Sequence, residues 1–261
     1  MIKTDLTGKM ALITGAAAGL GKETAAVMAA NGADIVILEI DEAAAKETAK
    51  EIEEKYGVNT EVYISDITDY KKFEEVFKSV YEKHGKLDIC VNIAGYCAYK
   101  GYDAVTQEEI DRMIKVNING QDNCARLCLK YMGEQKENGV CILNASVAGR
   151  SGQTSFPHYS MTKAAVINMT QSFALEGAKK GVRFDAVCPG IIRTDFWNRF
   201  LHQSFEGNED AAFQKITASM IPMGVPQEAI DIANAITFLA SDDAKYITGQ
   251  ALNICGGMAM N

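Results

Sequence analysis

No apolar run in this chain is long enough to cross a bilayer, and the opening stretch Met1–Lys9 is too polar for a secretory leader. The expectation is a cytoplasmic protein without a membrane partner. Basic residues are short as well. There are 26 against 34 acidic ones, for a formal net charge of −8, which argues against a general electrostatic grip on nucleic acid. Cysteine pairs with metal-ligand spacing are missing: seven cysteines stand at 90, 97, 124, 128, 141, 188 and 255, with no C-x-x-C and no paired histidines. Reduced thiols and no metal are expected. Cys124 and Cys128, four apart on an expected helix, come nearest to a ligand pair, and small buried thiols account for them more simply. No linker, repeat or low-complexity stretch interrupts the 261 residues, which are therefore read as one large α/β domain.

What the chain does contain is a proton-transfer spacing. Ser146 stands thirteen residues before Tyr159, and Tyr159 four before Lys163. Pro157 reads as the first turn of a helix, so Tyr159 and Lys163 share a face. A free phenol, with a pKa of about 10, is too weak a base at neutral pH to take an alcohol proton, and a neighbouring ammonium would lower that value. Ser146 follows the apolar, strand-like run Val140–Leu143, and its hydroxyl can hold a carbonyl oxygen. Tyr96 and Lys100 repeat the four-residue spacing, but Lys83 stands where the serine is needed. His158 adjoins Tyr159 yet points elsewhere on the helix, so it is expected at the rim or surface.

A second signal lies near the N-terminus. The strand Met10–Thr14 runs into Thr14-Gly15-Ala16-Ala17-Ala18-Gly19-Leu20-Gly21 and then a helix-forming stretch. Glycines there let the backbone approach a diphosphate at a helix N-terminus, where free N–H groups favour negative charge. The strand Asp34–Leu38 ends at Glu39, eighteen residues after Gly21, in the range for an acid that binds adenosine ribose hydroxyls. A carboxylate there repels a 2′-phosphate, and Ala16–Ala18, Ile40 and Asp41 include no arginine to hold one. NAD is the expected cofactor. Helices are expected over Glu42–Tyr56, Asp69–His84, Thr106–Gln135, Pro157–Lys180 and Gln227–Ala240. Further strands are expected over Arg183–Val187 and Gln250–Ile254, and the alternation predicts a parallel sheet covered on both faces.

These motifs together resemble the short-chain dehydrogenase/reductase family, from about Lys9 to Gly257. T-G-x-x-x-G-x-G is that family's form of the glycine loop. Asp66 in SDIT, beside Ile67, matches its adenine-binding acid, and Asn92-Ile93-Ala94-Gly95 its N-N-A-G turn. Asn117 in VNING matches its catalytic asparagine, completing a tetrad with Ser146, Tyr159 and Lys163. Cys188-Pro189-Gly190-Ile191-Ile192-Arg193-Thr194 resembles its P-G loop, where the Ile192 and Thr194 positions touch the cofactor. The resemblance implies a single doubly wound Rossmann-type domain over residues 1–261, about seven parallel strands, and a small substrate lid at about 195–225.

It also implies hydride transfer between nicotinamide C4 and a secondary alcohol carbon. Tyr159 would be the general acid or base, and Lys163 would tune it and bind the nicotinamide ribose. Ser146 would hold the substrate oxygen, and Asn117 would steady a water linking Lys163 to solvent. Two departures stand out. Ile93 replaces the second asparagine of the turn, and Ile221–Glu228 is short and lacks the family's arginine, so the loop after the P-G motif is expected to close differently. Family members commonly pair through the long helices flanking Ser146, so a homotetramer or homodimer is expected.

The substrate is less legible. Val147, Ala148, Phe156 and an aromatic lid (Phe196, Trp197, Phe200, Phe205, Phe213) make an apolar pocket, most of the lid rings serving to pack it down. Gln153 and Tyr96 are polar candidates for reading a second hydroxyl, alongside Ser146 and Tyr159, with Phe196 and Trp197 as apolar contacts. TDFW, SDDAKYITGQ and GGMAMN resemble polyol, acyloin and sugar-alcohol dehydrogenases, which favours a small polyol or hydroxyketone. Two alternatives stay open: an alicyclic alcohol of the hydroxysteroid type, and an NAD-binding sensor without turnover. An acyl-carrier-protein ketoreductase is disfavoured by Glu39.

Overall fold

Met10–Thr14 forms β1, and every one of its five residues is buried, because it occupies the middle of a sheet covered on both sides. The computed structural model describes residues 4–193, 197–198, 201–202 and 205–261. From β1 the chain runs through α1 (Gly19–Ala30), β2 (Asp34–Glu39), α2 (Glu42–Tyr56), β3 (Thr60–Ile64), α3 (Tyr70–His84) and β4 (Ile89–Asn92). The second half adds α4 (Gln107–Ile114), α5 (Gly120–Tyr131), β5 (Gly139–Asn144), α6 (Pro157–Gly177) and β6 (Val182–Pro189). It closes with α7 (Glu209–Met220), α8 (Ala229–Ala240) and β7 (Ala251–Ile254). The seven strands are parallel in the order β3-β2-β1-β4-β5-β6-β7.

Strand alternation divides the core in two. Ile13, Ile37 and Val91 face α1, α2 and α8, through Met28, Ile52 and Ile236 among others. Leu12, Val36 and Leu143 face α3, α5 and α6, through Phe77, Leu127 and Val166. The strand order reverses between β1 and β4, so their carboxyl ends open a crevice there.

Three helix N-termini are capped by side chains: Asp41 accepts from Ala44 N–H, Asp69 from Lys72 N–H, and Thr106 forms a capping box with Glu109. No side chain caps α1, whose N-terminus faces the crevice with no acid in its first turn.

The long helix expected over Thr106–Gln135 is interrupted. A π-helical turn, Lys115–Asn119, separates α4 from α5, and Met132–Glu134 adds a 3₁₀ turn. The extra residue in the π turn swings Asn117 inward to complete burial. Of the helix's apolar residues, Met113 and Leu127 are core, while Ile114 and Val116 are only partly covered.

Candidate active site

The glycine loop is built for close approach. Gly15 has φ 68°, a left-handed conformation costly for other residues, and a side chain there would meet the Ala94 backbone at 3.1 Å. A Cβ on Gly21 would fall onto the Gly15 carbonyl, so that glycine seats α1 against β1. A Cβ on Gly19 would meet nothing within 4 Å, which leaves room beside the uncapped helix terminus. Loop, space and free N–H groups fit a dinucleotide diphosphate.

Glu39 closes the β2 end of this site. Its carboxylate accepts from Ala17 N–H at 3.1 Å and Ile40 N–H at 3.0 Å, so the acid is fixed to the glycine loop itself. Asp66 is exposed in the neighbouring groove with Ile40 and Lys115, accepting from Thr68 N–H at 2.8 Å. Ile67 is buried, and its carbonyl accepts from Asn123 Nδ2 at 2.9 Å.

The Asn92–Gly95 turn is held in spite of Ile93. The Thr14 hydroxyl bonds Asn92 Oδ1 and accepts from Ala94 N–H at 3.1 Å. Gln121 Nε2 reaches the carbonyls of Asn92 and Ala94, and Asn144 Nδ2 that of Ile93 at 3.3 Å. Gly95 lies against Lys163 and Asn117, where a Cβ would meet Nζ at 3.7 Å and Oδ1 at 3.4 Å.

The expected tetrad converges. Lys163 is 1 % exposed, donates to the Asn144 carbonyl at 2.5 Å, and lies 5.5 Å from the Tyr159 ring centroid. Ser146 Oγ accepts from Ala148 N–H at 3.1 Å, and a hydrogen bond between Ser146 and the Tyr159 phenol links the two side chains.

Asn117 donates to the Tyr96 carbonyl at 2.7 Å and Thr162 Oγ1 at 3.0 Å, and accepts from Tyr96 N–H at 2.8 Å. An amide has four hydrogen-bonding positions, so one lone pair of Oδ1 is left for a water. Asn117→Ala should release the Tyr96 backbone and lower kcat by about a hundredfold through misplacement of the pocket wall, with little change in dinucleotide affinity. Steady-state kinetics beside a cofactor titration would measure both, and an unchanged kcat would remove Asn117 from the site.

The electrostatics correct one expectation. Burial pushes the Tyr159 phenol above its ordinary range, with the Cys97 and Cys188 thiols adding to the effect and Ser146 opposing it. The lysine is itself desolvated, and its pKa falls to about 8. Two groups expected to help each other are each displaced toward neutrality, because both have left water.

Pro189 and Gly190 end β6 beside the tetrad, and Ile192 pairs with Gln227. The short 221–228 segment closes through Gln227, whose Oε1 accepts from Gly190 N–H at 2.5 Å. Met223 N–H donates to the Gly256 carbonyl at 3.1 Å, tying that segment to the C-terminal glycines. Thr194, Phe196 and Phe200 lie outside the described residues.

A cavity of about 450 Å³ opens over Tyr159, Ser146 and Lys163 and reaches Pro189, Gly190 and Ile192. Gln153, Tyr96 and Trp197 line it. Sequence reasoning missed Cys97, Tyr99, Ile216, Met220 and Met258, which come from three separate segments and carry no local signal. Tyr99 packs edge-on against Phe156 at 5.3 Å and Trp197 at 6.1 Å, and Trp197 packs on Phe213 at 5.8 Å. Trp197 therefore both packs the lid and walls the pocket, whereas Phe205 is exposed. His158 is half-buried and does not line the cavity.

A family model described as enoyl-(acyl carrier protein) reductase matches residues 15–259. The chain belongs to the short-chain dehydrogenase/reductase family. Within the family it is 37 % identical over 257 residues to a diacetyl reductase [(S)-acetoin forming] of Staphylococcus epidermidis, covering 96 % of this chain and 98 % of that protein. A 3-oxoacyl-[acyl-carrier-protein] reductase of Thermotoga maritima is 34 % identical, covering 98 % and 99 %. Among solved structures, L-sorbose reductase of Gluconobacter frateurii with NADPH and L-sorbose superposes with a TM-score of 0.93 at 27 % identity, covering 100 % of both chains. An NAD+-bound xylitol dehydrogenase gives 0.90 at 27 % identity, covering 97 % of this chain and 99 % of that one. The family assignment makes the chain an oxidoreductase of the nicotinamide-dependent kind.

Proposed function

We propose that the protein interconverts a small hydroxyketone or polyol and its oxidised partner, using NAD. The reading rests above all on the Ser146–Tyr159–Lys163 constellation lining a mostly apolar cavity. The bound nicotinamide would supply a hydride-accepting carbon. Ser146 would orient the substrate oxygen, Tyr159 would exchange its proton, and the glycine loop, Asp66, Asn92–Gly95 and the Pro189–Thr194 segment would hold the dinucleotide. Gln153 and Tyr96 supply two polar edges in an otherwise apolar wall, which suits a short molecule with neighbouring oxygens better than a fully hydroxylated one. The ring wall of Tyr99, Phe156 and Trp197 supports a second reading, an alicyclic alcohol. Turnover on panels of short diketones and hydroxyketones, polyols and cyclic alcohols separates the two, and turnover of none of them would sink both.

NAD preference rests on Glu39, whose carboxylate is held by the Ala17 and Ile40 N–H groups and would repel a 2′-phosphate, with Ile40 71 % exposed beside it. Glu39→Ala with Ile40→Arg should move the NAD/NADP ratio of kcat/KM by at least about tenfold toward NADP, about 1.4 kcal/mol. An unchanged ratio would mean that Glu39 does not face the ribose. Self-association is part of the same proposal: α6 carries Leu175 75 % exposed and Met161 48 % exposed, an apolar face suited to a second copy. Sedimentation velocity would report a monomer if this is wrong.

A further inference from the structure

The sequence showed one pair of cysteines on a helix, and the fold adds two more. Cys90 on β4 and Cys141 on β5 are register partners in adjacent parallel strands, and both side chains point toward α5. Cys124 and Cys128 lie one turn apart on the face of α5 that covers those strands. Cys90 Sγ and Cys124 Sγ are 3.4 Å apart, and the sulfurs of Cys90, Cys124 and Cys128 all lie within 4.8 Å of one another. Cys141 adjoins this trio from β5. All four are 0 % exposed. This group lies behind the sheet, apart from the cavity lined by Cys97.

We propose that Cys90, Cys124, Cys128 and Cys141 form a binding site for one soft, thiophilic d10 metal ion, Zn²⁺ or Cu⁺. A tetrahedral thiolate site with metal–sulfur bonds of about 2.3 Å has sulfurs about 3.8 Å apart, longer than the 3.4 Å between Cys90 and Cys124 and inside the 4.8 Å that bounds the Cys90, Cys124 and Cys128 set. Soft sulfur donors without any oxygen or nitrogen ligand select this class of ion over Mg²⁺ or Ca²⁺. The surroundings decide the charge. The cluster sits among Leu12, Phe77, Leu127 and Leu143, so the assembly of lowest net charge is the stable one. Each cysteine binds as the thiolate and gives up its proton as the metal–sulfur bond forms, so with four such bonds the Zn²⁺ assembly carries the smaller net charge, −2 against −3 for Cu⁺. No sulfur of the four reaches solvent, so the ion is taken up as the chain folds. Once bound it would pin α5 to β4 and β5 without touching the catalytic residues.

The test is to refold the full chain under anaerobic, reducing conditions with Zn²⁺, Cu⁺ or, as a spectroscopic probe, Co²⁺, and to measure metal content after desalting. About one ion per chain is expected in the Zn²⁺ or the Cu⁺ arm, with a sulfur-to-cobalt charge-transfer band in the Co²⁺ product and a higher melting temperature than metal-free protein. The arm that loads identifies the ion. Cys124→Ala should reduce the bound metal about tenfold or more, while Cys188→Ala, outside the group, should leave it unchanged. Cys128→Val serves the same purpose should Cys124→Ala not fold. Less than about 0.1 ion per chain in both arms with no charge-transfer band, or equal loading of the Cys124 and Cys128 variants, would overturn the proposal.

Discussion

Tyr159→Phe should leave dinucleotide affinity nearly unchanged and lower turnover by roughly 10²–10⁴-fold, the range for loss of a positioned general acid or base. The substitution removes one oxygen and keeps the ring that packs edge-on against Phe156 at 6.1 Å, so the pocket wall should survive. What disappears is the hydroxyl that Ser146 bonds and that faces the cavity. The pH dependence follows from the upward displacement of the phenol. Ketone reduction consumes the phenol's proton and should hold steady through neutrality, whereas alcohol oxidation needs the phenolate and should climb with pH. A variant with wild-type turnover, or the two directions sharing one pH profile, would contradict the assignment.

Lys163→Met should abolish most turnover and yet stabilise the fold at neutral pH. Burial lowers the ammonium's pKa from 10.5 to about 8. The unfolded chain therefore binds more protons between those values, and stability should rise with pH across that window and be lowest, as far as this group is concerned, below about 8. The displacement corresponds to a penalty on the order of 3 kcal/mol. Methionine has a similar length and no charge, so it removes that cost. Against this, the Asn144 carbonyl loses its donor, about 1 kcal/mol. The net gain of about 2 kcal/mol should raise the melting temperature by about 4–8 °C at pH 7. The gain should shrink toward pH 10.5, the upper edge of the window. Calorimetry at the two pH values checks the sign, and a lower melting temperature at pH 7 would mean that the lysine stabilises the fold. A higher melting temperature for Lys163→Met would make this lysine a case of activity maintained against stability.

Much of this site was legible because its signals are local. The glycine loop, the four-residue step from Tyr159 to Lys163 and the apolar strands each depend on a few consecutive residues, and the structure keeps the helix from Pro157 and the acid at the end of β2. Other features needed the fold. A π turn at Lys115–Asn119 leaves no trace in residue type, since one extra residue in a helix changes spacing only after the fact. Tyr99 and Met258 line one cavity from segments more than a hundred residues apart. The upward displacement of Tyr159 reflects how deeply the crevice excludes water, which no spacing encodes. For the same reason Cys90 and Cys141 joined the α5 cysteines only once strand register was known.

The π turn also constrains anyone who would redesign this enzyme. Deleting one residue from Lys115–Asn119 would restore a regular α-helix, the usual route to a sturdier scaffold, but it would rotate everything on one side of the cut by about 100°. Either Asn117 would leave Tyr96 and Thr162, or Leu127 would leave the core. The irregular turn is thus the gearing that lets one continuous helix serve the crevice at its middle and the hydrophobic interior at its far end.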